Sequence, residues 1–192
     1  ESTAWRTMSR VSAEEFSPGD TILLKRGTRC TGQLWPKGSG DEAHPIRIGA
    51  FGRGALPVVG AGTAESAIKL FNQHHWEIEL IETHGGSPYG IFISGDRGDL
   101  PHITIRNVVV HGVTGEPKTK KSGLVTITTT GEAHMRDLLI DGVTAYDSTQ
   151  WAGIIVSGAS RENRIRNVTV RNSIVHDLYG DGIVLFSVED GL

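Results

Sequence analysis

Apolar and polar positions alternate in short runs along this chain, and beyond residue 100 the runs return at a fixed interval. Arg-Asn-Val-Val-Val-His-Gly-Val at 106–113 is followed 30 positions later by Arg-Asp-Leu-Leu-Ile-Asp-Gly-Val at 136–143. Arg-Asn-Val-Thr-Val-Arg-Asn-Ser at 166–173 repeats it at the same interval. A period of this size signals stacked structural units. Each unit is written in strand-forming residues, so the pattern predicts a β-solenoid. Ile105, Val108 and Val110 match Met135, Leu138 and Ile140, then Ile165, Val168 and Val170, and stacking predicts one internal row for each set. The step of three between the first two members breaks the period of two that a strand requires. A bend at Asn107, Asp137 and Asn167 restores the phase, because Asn and Asp tolerate left-handed backbone. Ile78 and Leu80 sit one period earlier, with Glu77 in place of the Asn or Asp.

A second strand follows each repeat, at Gly90-Ile-Phe-Ile93, Gly123-Leu-Val-Thr126, Gly153-Ile-Ile-Val156 and Gly182-Ile-Val-Leu185. The gaps then fall into two stacked loop families. One holds Glu116–Ser122, Tyr146–Ala152 and His176–Asp181, the other Ser94–His102, Thr128–His134 and Ser157–Arg164. Earlier in the chain, strands are predicted at Thr21–Leu24, Pro45–Ile48, Val58–Val59 and Ala67–Leu70, with 28–44 as a loop anchored by Leu34 and Trp35. Trp5, Met8, Val11 and Phe16 have near-helical spacing, and Ser12 with Glu15 has the spacing of a capping box. Residues 3–16 are therefore read as an amphipathic helix covering the first coil. The whole chain is read as one β-helix domain, with 1–19 as its N-terminal cap and 20–192 as coils.

Composition agrees with short strands and tight turns: Gly numbers 25 and aromatic residues make up only 6%. The net charge of −3 is spread evenly, and Lys118, Lys120 and Lys121 form the one basic run, so no nucleic-acid footprint is present. The single cysteine, Cys30, excludes an internal disulfide and fits either a reducing compartment or a bacterial secreted solenoid. No apolar stretch approaches the roughly 20 residues a membrane span needs. A start at Glu1, with no Met and no signal peptide, reads as a processed or trimmed chain.

Ser17-Pro-Gly-Asp-Thr-Ile-Leu-Leu-Lys-Arg-Gly27 and Pro45-Ile-Arg-Ile-Gly-Ala-Phe-Gly-Arg-Gly54, closing at Pro57, resemble the first coils of the right-handed parallel β-helix, pectate-lyase-like superfamily. His176-Asp177 followed by Asp181-Gly182-Ile183 is similar to its recurring coil pattern. The resemblance covers nearly the whole chain. It implies an all-β, right-handed parallel β-helix and a secreted, extracellular or periplasmic, bacterial protein acting on polysaccharide. The superfamily spans polysaccharide lyases, glycoside hydrolases, epimerases, esterases and non-catalytic adhesins and tail spikes, so the reaction does not follow from the fold. The polygalacturonase residue set is absent apart from Tyr179-Gly-Asp181, and so is the Asp-Pro-His-Glu of alginate epimerases.

A lyase must neutralise a uronate and place a base near its acidic ring proton, whereas a hydrolase needs two carboxyl groups roughly 5–9.5 Å apart. Coils stack at about 4.8 Å, so equivalent positions on neighbouring coils suit a carboxylate pair. Asp147 and Asp177 are such positions, with Tyr146 and His176 just before them and Tyr179 and Asp181 just after. These give Asp177, Asp181, His176, Asp147 and Tyr179 as candidate catalytic residues. Trp151, Tyr146, Lys120 and Lys121 are the candidate substrate-binding residues. Asp and His before a Gly-rich turn also serve simply as turn caps. His111, Asp141 and Arg171 read as one solvated column, and Arg106, Arg136 and Arg166 as another that points into solvent or holds an acidic sugar.

No metal site is assigned. His74 and His75, with His84, make a poor shared site if they alternate on a strand. Asp96, Arg97 and Asp99 leave calcium as the one cofactor to consider. The chain closes on Ser187-Val-Glu-Asp-Gly-Leu192 with no visible cap, which predicts that further C-terminal coils or a second chain covers that end. The leading reading is a polysaccharide lyase or glycoside hydrolase. The rivals are a non-catalytic carbohydrate-binding or tail-spike-like solenoid, and an assembly module.

Overall fold

The structure, a computed structural model, describes residues 4–115, 120–160 and 165–189. One short helix, α1 (Met8–Ser12), precedes a run of strands. The early strands are β1 (Thr21–Lys25), β2 (Arg29–Thr31), β3 (Ile46–Phe51), β4 (Val58–Gly60), β5 (Ile68–Phe71), β6 (Trp76–Glu79) and β7 (Glu82–His84). Two long strands follow, β8 (Ile91–Arg106) and β10 (Gly123–Asp141), separated by β9 (Val109–Val113). The last are β11 (Thr144–Ser148), β12 (Ala152–Ser157), β13 (Ile165–Arg171), β14 (Ile174–Val175), β15 (Asp181–Phe186) and β16 (Val188–Glu189). The chain is thus nearly all β.

Every strand pairing among the described residues is parallel, and the chain passes back and forth between a ten-stranded and a six-stranded sheet, the consecutive strands β5–β6, β12–β13 and β15–β16 all falling in the former. Parallel pairing of strands that follow one another requires a full turn of chain between them, which is the wiring of a solenoid-like stack. Like residues then line up in files. Ile68, Ile91, Val125, Ile154 and Ile183 are register partners, as are Ile22, Ile48, Ile78, Ile105, Ile140 and Val170. All except the last member of each file are buried. At about 1.5–3 kcal/mol per buried side chain, these files outweigh surface ion pairs worth about 0–1 kcal/mol each.

The register corrects the alignment read from the repeat. Leu138 pairs with Val168, as the repeat predicts, but its other partner is Ile103 and not Val108. Ile140 likewise pairs with Ile105, 35 positions away. Val108 lies in a different file, because its carbonyl accepts the N–H of Thr144 and Val109 pairs with Thr144. Left-handed residues explain the mismatch. His75, His102, Asp137 and Asn167 form one column of bends, with φ of 55°, 58°, 59° and 50°. Leu80, Asn107, Gly142 and Asn172 form a second, with φ of 55°, 52°, 68° and 52°. Asn107 and Asp137 therefore stand at different corners of the coil, and Leu80 turns a corner instead of pointing inward.

Several other expectations change. The second loop family is strand: 94–102 lies within β8 and 128–134 within β10, whose register slips between Thr129 and Glu132. In the third member, 161–164 lie outside the described residues. Residues 29–31, assigned to a loop, form β2. The helix spans five residues and not 3–16. Thr7 is its N-cap, accepting the N–H of Arg10 at 3.3 Å. Ser12 forms no capping box, because its hydroxyl donates to the Gln33 carbonyl and accepts the Trp35 N–H. Met8 and Val11 join the core with Ile22, whereas Trp5 is exposed.

Candidate functional site

The loop family joining the six-stranded to the ten-stranded sheet carries most of the predicted site residues. Pairing of Thr144 with Ile174 and of Ala145 with Val175 sets adjacent coils 30 positions apart here. The Ser148 N–H donates to the Asp177 carbonyl at 3.1 Å, which keeps that register through the turn. Asp147 and Asp177 are equivalent, as the repeat predicts. Both are left-handed, at φ 56° and 51°, and they continue a column begun by Gly85 and Gly112 at 76° and 69°. Asp at such a position satisfies a backbone demand before it performs any chemistry.

Beside this column the rings of His111, Tyr146 and His176 lie parallel, with centroids 5.0 and 5.2 Å apart and planes within 3°. His84 extends the ladder at 4.8 Å, and Glu82 bonds the Nε2 of His111 at 3.0 Å. At the other end, the Nδ1 of His176 meets the Asp177 carboxylate at 2.9 Å. That side chain is 78% exposed, and Asp147 is exposed too.

Five residues further on, where the chain enters β12 and β15, a second group assembles. Asp181 stands in register with Ala152, which brings it beside Trp151 on the preceding coil. The indole N–H of Trp151 donates to Asp181 Oδ2 at 2.8 Å. Tyr179 tilts against Trp151 with centroids 6.1 Å apart, and Lys120 Nζ stands 4.6 Å from the Trp151 ring centroid. Glycine at 180 is required here, since a Cβ would run into the Trp151 carbonyl. Lys120 and Lys121 also line a cavity of about 150 Å³ with Ser157 and Phe186. Lys118 lies outside the described residues.

Of the nine predicted site residues, then, Tyr146, His176 and Asp177 form one contact group and Trp151, Tyr179, Asp181 and Lys120 another. Among the described residues no hydrogen bond, ion pair or ring contact joins the two. Asp147 belongs to the first group by register and Lys121 to the second by the shared cavity.

The charged columns rearrange with the register. Arg171 pairs with Asp141 at 2.9 Å, and Asn172 donates to the same carboxylate. Together they hold the Asp141 carboxyl below its usual range. His111 is not in that column, nor is Arg106 in line with Arg136 and Arg166, since Arg106 pairs in register with Asp141. Arg136 binds Asp99 at 3.0 Å and Asp137 at 2.6 Å, and Asp96 binds Arg97 and Asn72. The acidic groups considered for calcium are thus engaged by arginine and amide donors. Among the described residues no three His, Cys, Asp or Glu side chains are arranged to hold a metal ion.

His74 and His75 do not alternate on a strand. The left-handed backbone of His75 brings the two Nδ1 atoms to 2.8 Å, and His102 stacks on His75 at 5.6 Å. Burial, then His74 and His102, hold the His75 pKa below the ordinary imidazole value.

A further aromatic group goes unmarked by sequence spacing. Trp35, Lys69 and Phe92 come together on the outer face of the ten-stranded sheet, joined by Lys37 and Tyr89. Only the register reveals it, because its members lie in three coils of unequal length.

No protein-family model and no curated protein matches the chain. Solved structures do resemble it. The native crystal structure of the GH136 lacto-N-biosidase from Eubacterium ramulus aligns with a TM-score of 0.68 at 18% identity, over 95% of this chain and 42% of that one. The selenomethionine derivative of the same protein aligns at 0.56 and 15%, over 97% and 52%. The chain thus spans about half the length of these structures, and at such identity the likeness is one of fold.

Proposed function

We propose that this chain belongs to a secreted, carbohydrate-active protein built as a right-handed parallel β-helix of the pectate-lyase-like kind, and that it hydrolyses a glycan lying across its stacked coils. The observation that carries this reading is the Trp151 indole, tied to Asp181 and flanked by Tyr179 and Lys120, next along the chain from a carboxylate pair in register. Aromatic faces with a few fixed polar groups are what sugar rings pack against. The structural neighbours, named as a lacto-N-biosidase of a glycoside hydrolase family, support hydrolysis over elimination.

Asp147 and Asp177 supply the chemistry. Neighbouring coils at about 4.8 Å place equivalent carboxyl groups near the roughly 5–5.5 Å of a retaining glycosidase. Asp177, oriented by His176, attacks the anomeric carbon while Asp147 protonates the departing glycosidic oxygen. Water then cleaves the glycosyl–Asp177 ester, giving its proton to Asp147. Asp181 acts through Trp151 as a positioning residue.

A second reading, a non-catalytic glycan-binding solenoid, is favoured by one observation: Asp147 and Asp177 sit where the backbone alone favours Asp. Incubation with neutral and acidic glycans separates the readings. Release of reducing ends without ultraviolet absorbance from unsaturated uronate is the expected result. That absorbance would replace hydrolysis by a lyase, and binding without either product would establish the second reading.

A further inference from the structure

Lys69 lies between inward-facing Ile68 and Leu70, so its side chain stands on the outer face of the sheet, as Phe92 does between Ile91 and Ile93. Leu34 bridges to Ile68, which sets Trp35 next to Lys69 one coil earlier. The contacts run continuously. Lys37 Nζ is 3.1 Å from the Trp35 ring centroid, and Lys69 Nζ is 4.6 Å from it. Lys69 Nζ is also 5.7 Å from the centroid of Phe92, and Tyr89 stacks on Phe92 at 4.1 Å with planes 5° apart. Across three coils the strip is roughly 10 Å long.

Its charges do not balance. Glu65 binds Lys69 at 2.5 Å, but among the described residues Lys37 has no ion-pair partner. Burial and the neighbouring Lys69 both hold the Lys37 pKa below the usual lysine range. An incoming anion would offset both effects. Tyr89 keeps its proton more firmly than a free phenol, because burial and Glu65 push its pKa up, so its hydroxyl stays a donor. The next outward positions, Thr126 and Ile155, are covered, which closes the strip at that end.

We infer that Trp35, Lys37, Lys69, Tyr89 and Phe92 form a binding strip for an acidic glycan, separate from the Trp151 group. It takes the carboxylate or sulfate of one sugar at Lys37 and Lys69, and packs a sugar face on the aromatic rings. This rests on the reading that the protein binds glycans, yet it does not require cleavage. A purely structural role, with the lysines shielding Trp35, would make Lys37 matter for stability and not for ligand choice.

Calorimetric titration with oligogalacturonate, sulfated chondroitin oligosaccharide and neutral xylo-oligosaccharide tests it on the wild type, Lys37→Gln, Lys37→Arg, Trp35→Phe and Trp151→Ala. The wild type should bind one acidic ligand at least about tenfold more tightly than the neutral one, and which acidic ligand wins separates carboxylate from sulfate. Lys37→Gln should erase that preference, Lys37→Arg should keep it, and Trp35→Phe should weaken binding of both classes. Trp151→Ala should leave the acidic preference in place. Equal binding of acidic and neutral ligands, no acidic binding, or an unchanged preference in Lys37→Gln overturns the strip. If Trp35→Phe fails to fold, the two Lys37 variants decide alone. If no glycan is cleaved while the preference holds and responds to Lys37, hydrolysis fails and the strip stands.

Discussion

Trp151 and Asp181, thirty residues apart in sequence, are joined by an indole N–H bond to the carboxylate at 2.8 Å across one coil step. Asn at 181 retains an oxygen that can accept this bond but carries no charge, so it separates positioning from chemistry. Asp181→Asn should keep hydrolysis within about threefold of wild type and leave the tryptophan emission maximum unchanged. Asp181→Leu should lose the bond and raise KM more than it lowers kcat. A fall in kcat of a hundredfold or more in Asp181→Asn would make Asp181 a reacting carboxylate.

The left-handed backbone at Asp177 gives a matched set of variants. Asn tolerates φ 51° nearly as well as Asp, and Gly better, whereas a β-branched residue there costs about 1–2 kcal/mol. Asp177→Asn and Asp177→Gly should therefore melt near the wild-type temperature while losing at least a hundredfold in kcat. Asp177→Val should lose both stability and activity. Full activity in Asp177→Asn would reduce this residue to a turn former.

Much of the stack is legible in the sequence. Ile91, Ile154 and Ile183 each follow a Gly directly and share one file, as local alternation predicts, but Val125 and not Leu124 joins them, because Gly123 stands opposite Ala152 and not Gly153. The match of Asn107 to Asp137 misleads because the coil has more than one left-handed corner, and each corner selects Asn, Asp or Gly for the same backbone reason. Coil length also varies: Thr83 pairs with Val110 and Val110 with Ala145, separations of 27 and 35, so no single period carries every column. The Trp151–Asp181 contact could be anticipated, since both fall in coils 30 apart. The Trp35 strip could not, because its coils are irregular. The apolar spacing of residues 3–16 overstated the helix, since five residues are too few for helical propensity to matter and the first coil claims the Ser12 hydroxyl.

His75 makes stability depend on pH near neutrality. In the fold its imidazole pKa is held below the ordinary value by burial, then by His74 and His102, with Asp41 and Glu42 opposing. The unfolded chain therefore binds a proton more readily below about pH 6.5. Stability from this group is complete above that pH and is lost as pH falls towards the lower folded-state value. His75→Asn keeps a residue suited to φ 55° and removes the titration. Urea unfolding at pH 7.5 and 5.5 should show a smaller loss in the variant, and equal losses would remove His75 as the cause.

Thr83 presents a different defect. Its side chain lies in the buried file with Val59, Val110 and Ala145, and its hydroxyl has no hydrogen-bond partner among the described residues. Val has nearly the same shape and no polar atom to desolvate, so Thr83→Val should stabilise the fold by about 1 kcal/mol. Chemical denaturation would register this as a higher midpoint with an unchanged slope. A lower midpoint would mean that the hydroxyl is satisfied in solution.

Ile183 and Leu185 continue files whose preceding members, Ile154 and Val156, are fully buried, yet they are 46% and 51% exposed. Ile174 and Phe186 are exposed alongside them, at 62% and 59%. Among the described residues these apolar side chains thus face outward, and β15 pairs only with β12. A face of this kind drives association through both apolar contact and strand addition. Charge at the two inward positions opposes both at little cost, because the side chains are already half in water. The double variant Ile183→Lys/Leu185→Lys of this chain should sediment as a monomer at concentrations where the wild type self-associates, with a melting temperature within a few degrees. Equal sedimentation of the two proteins would show that this face does not drive association.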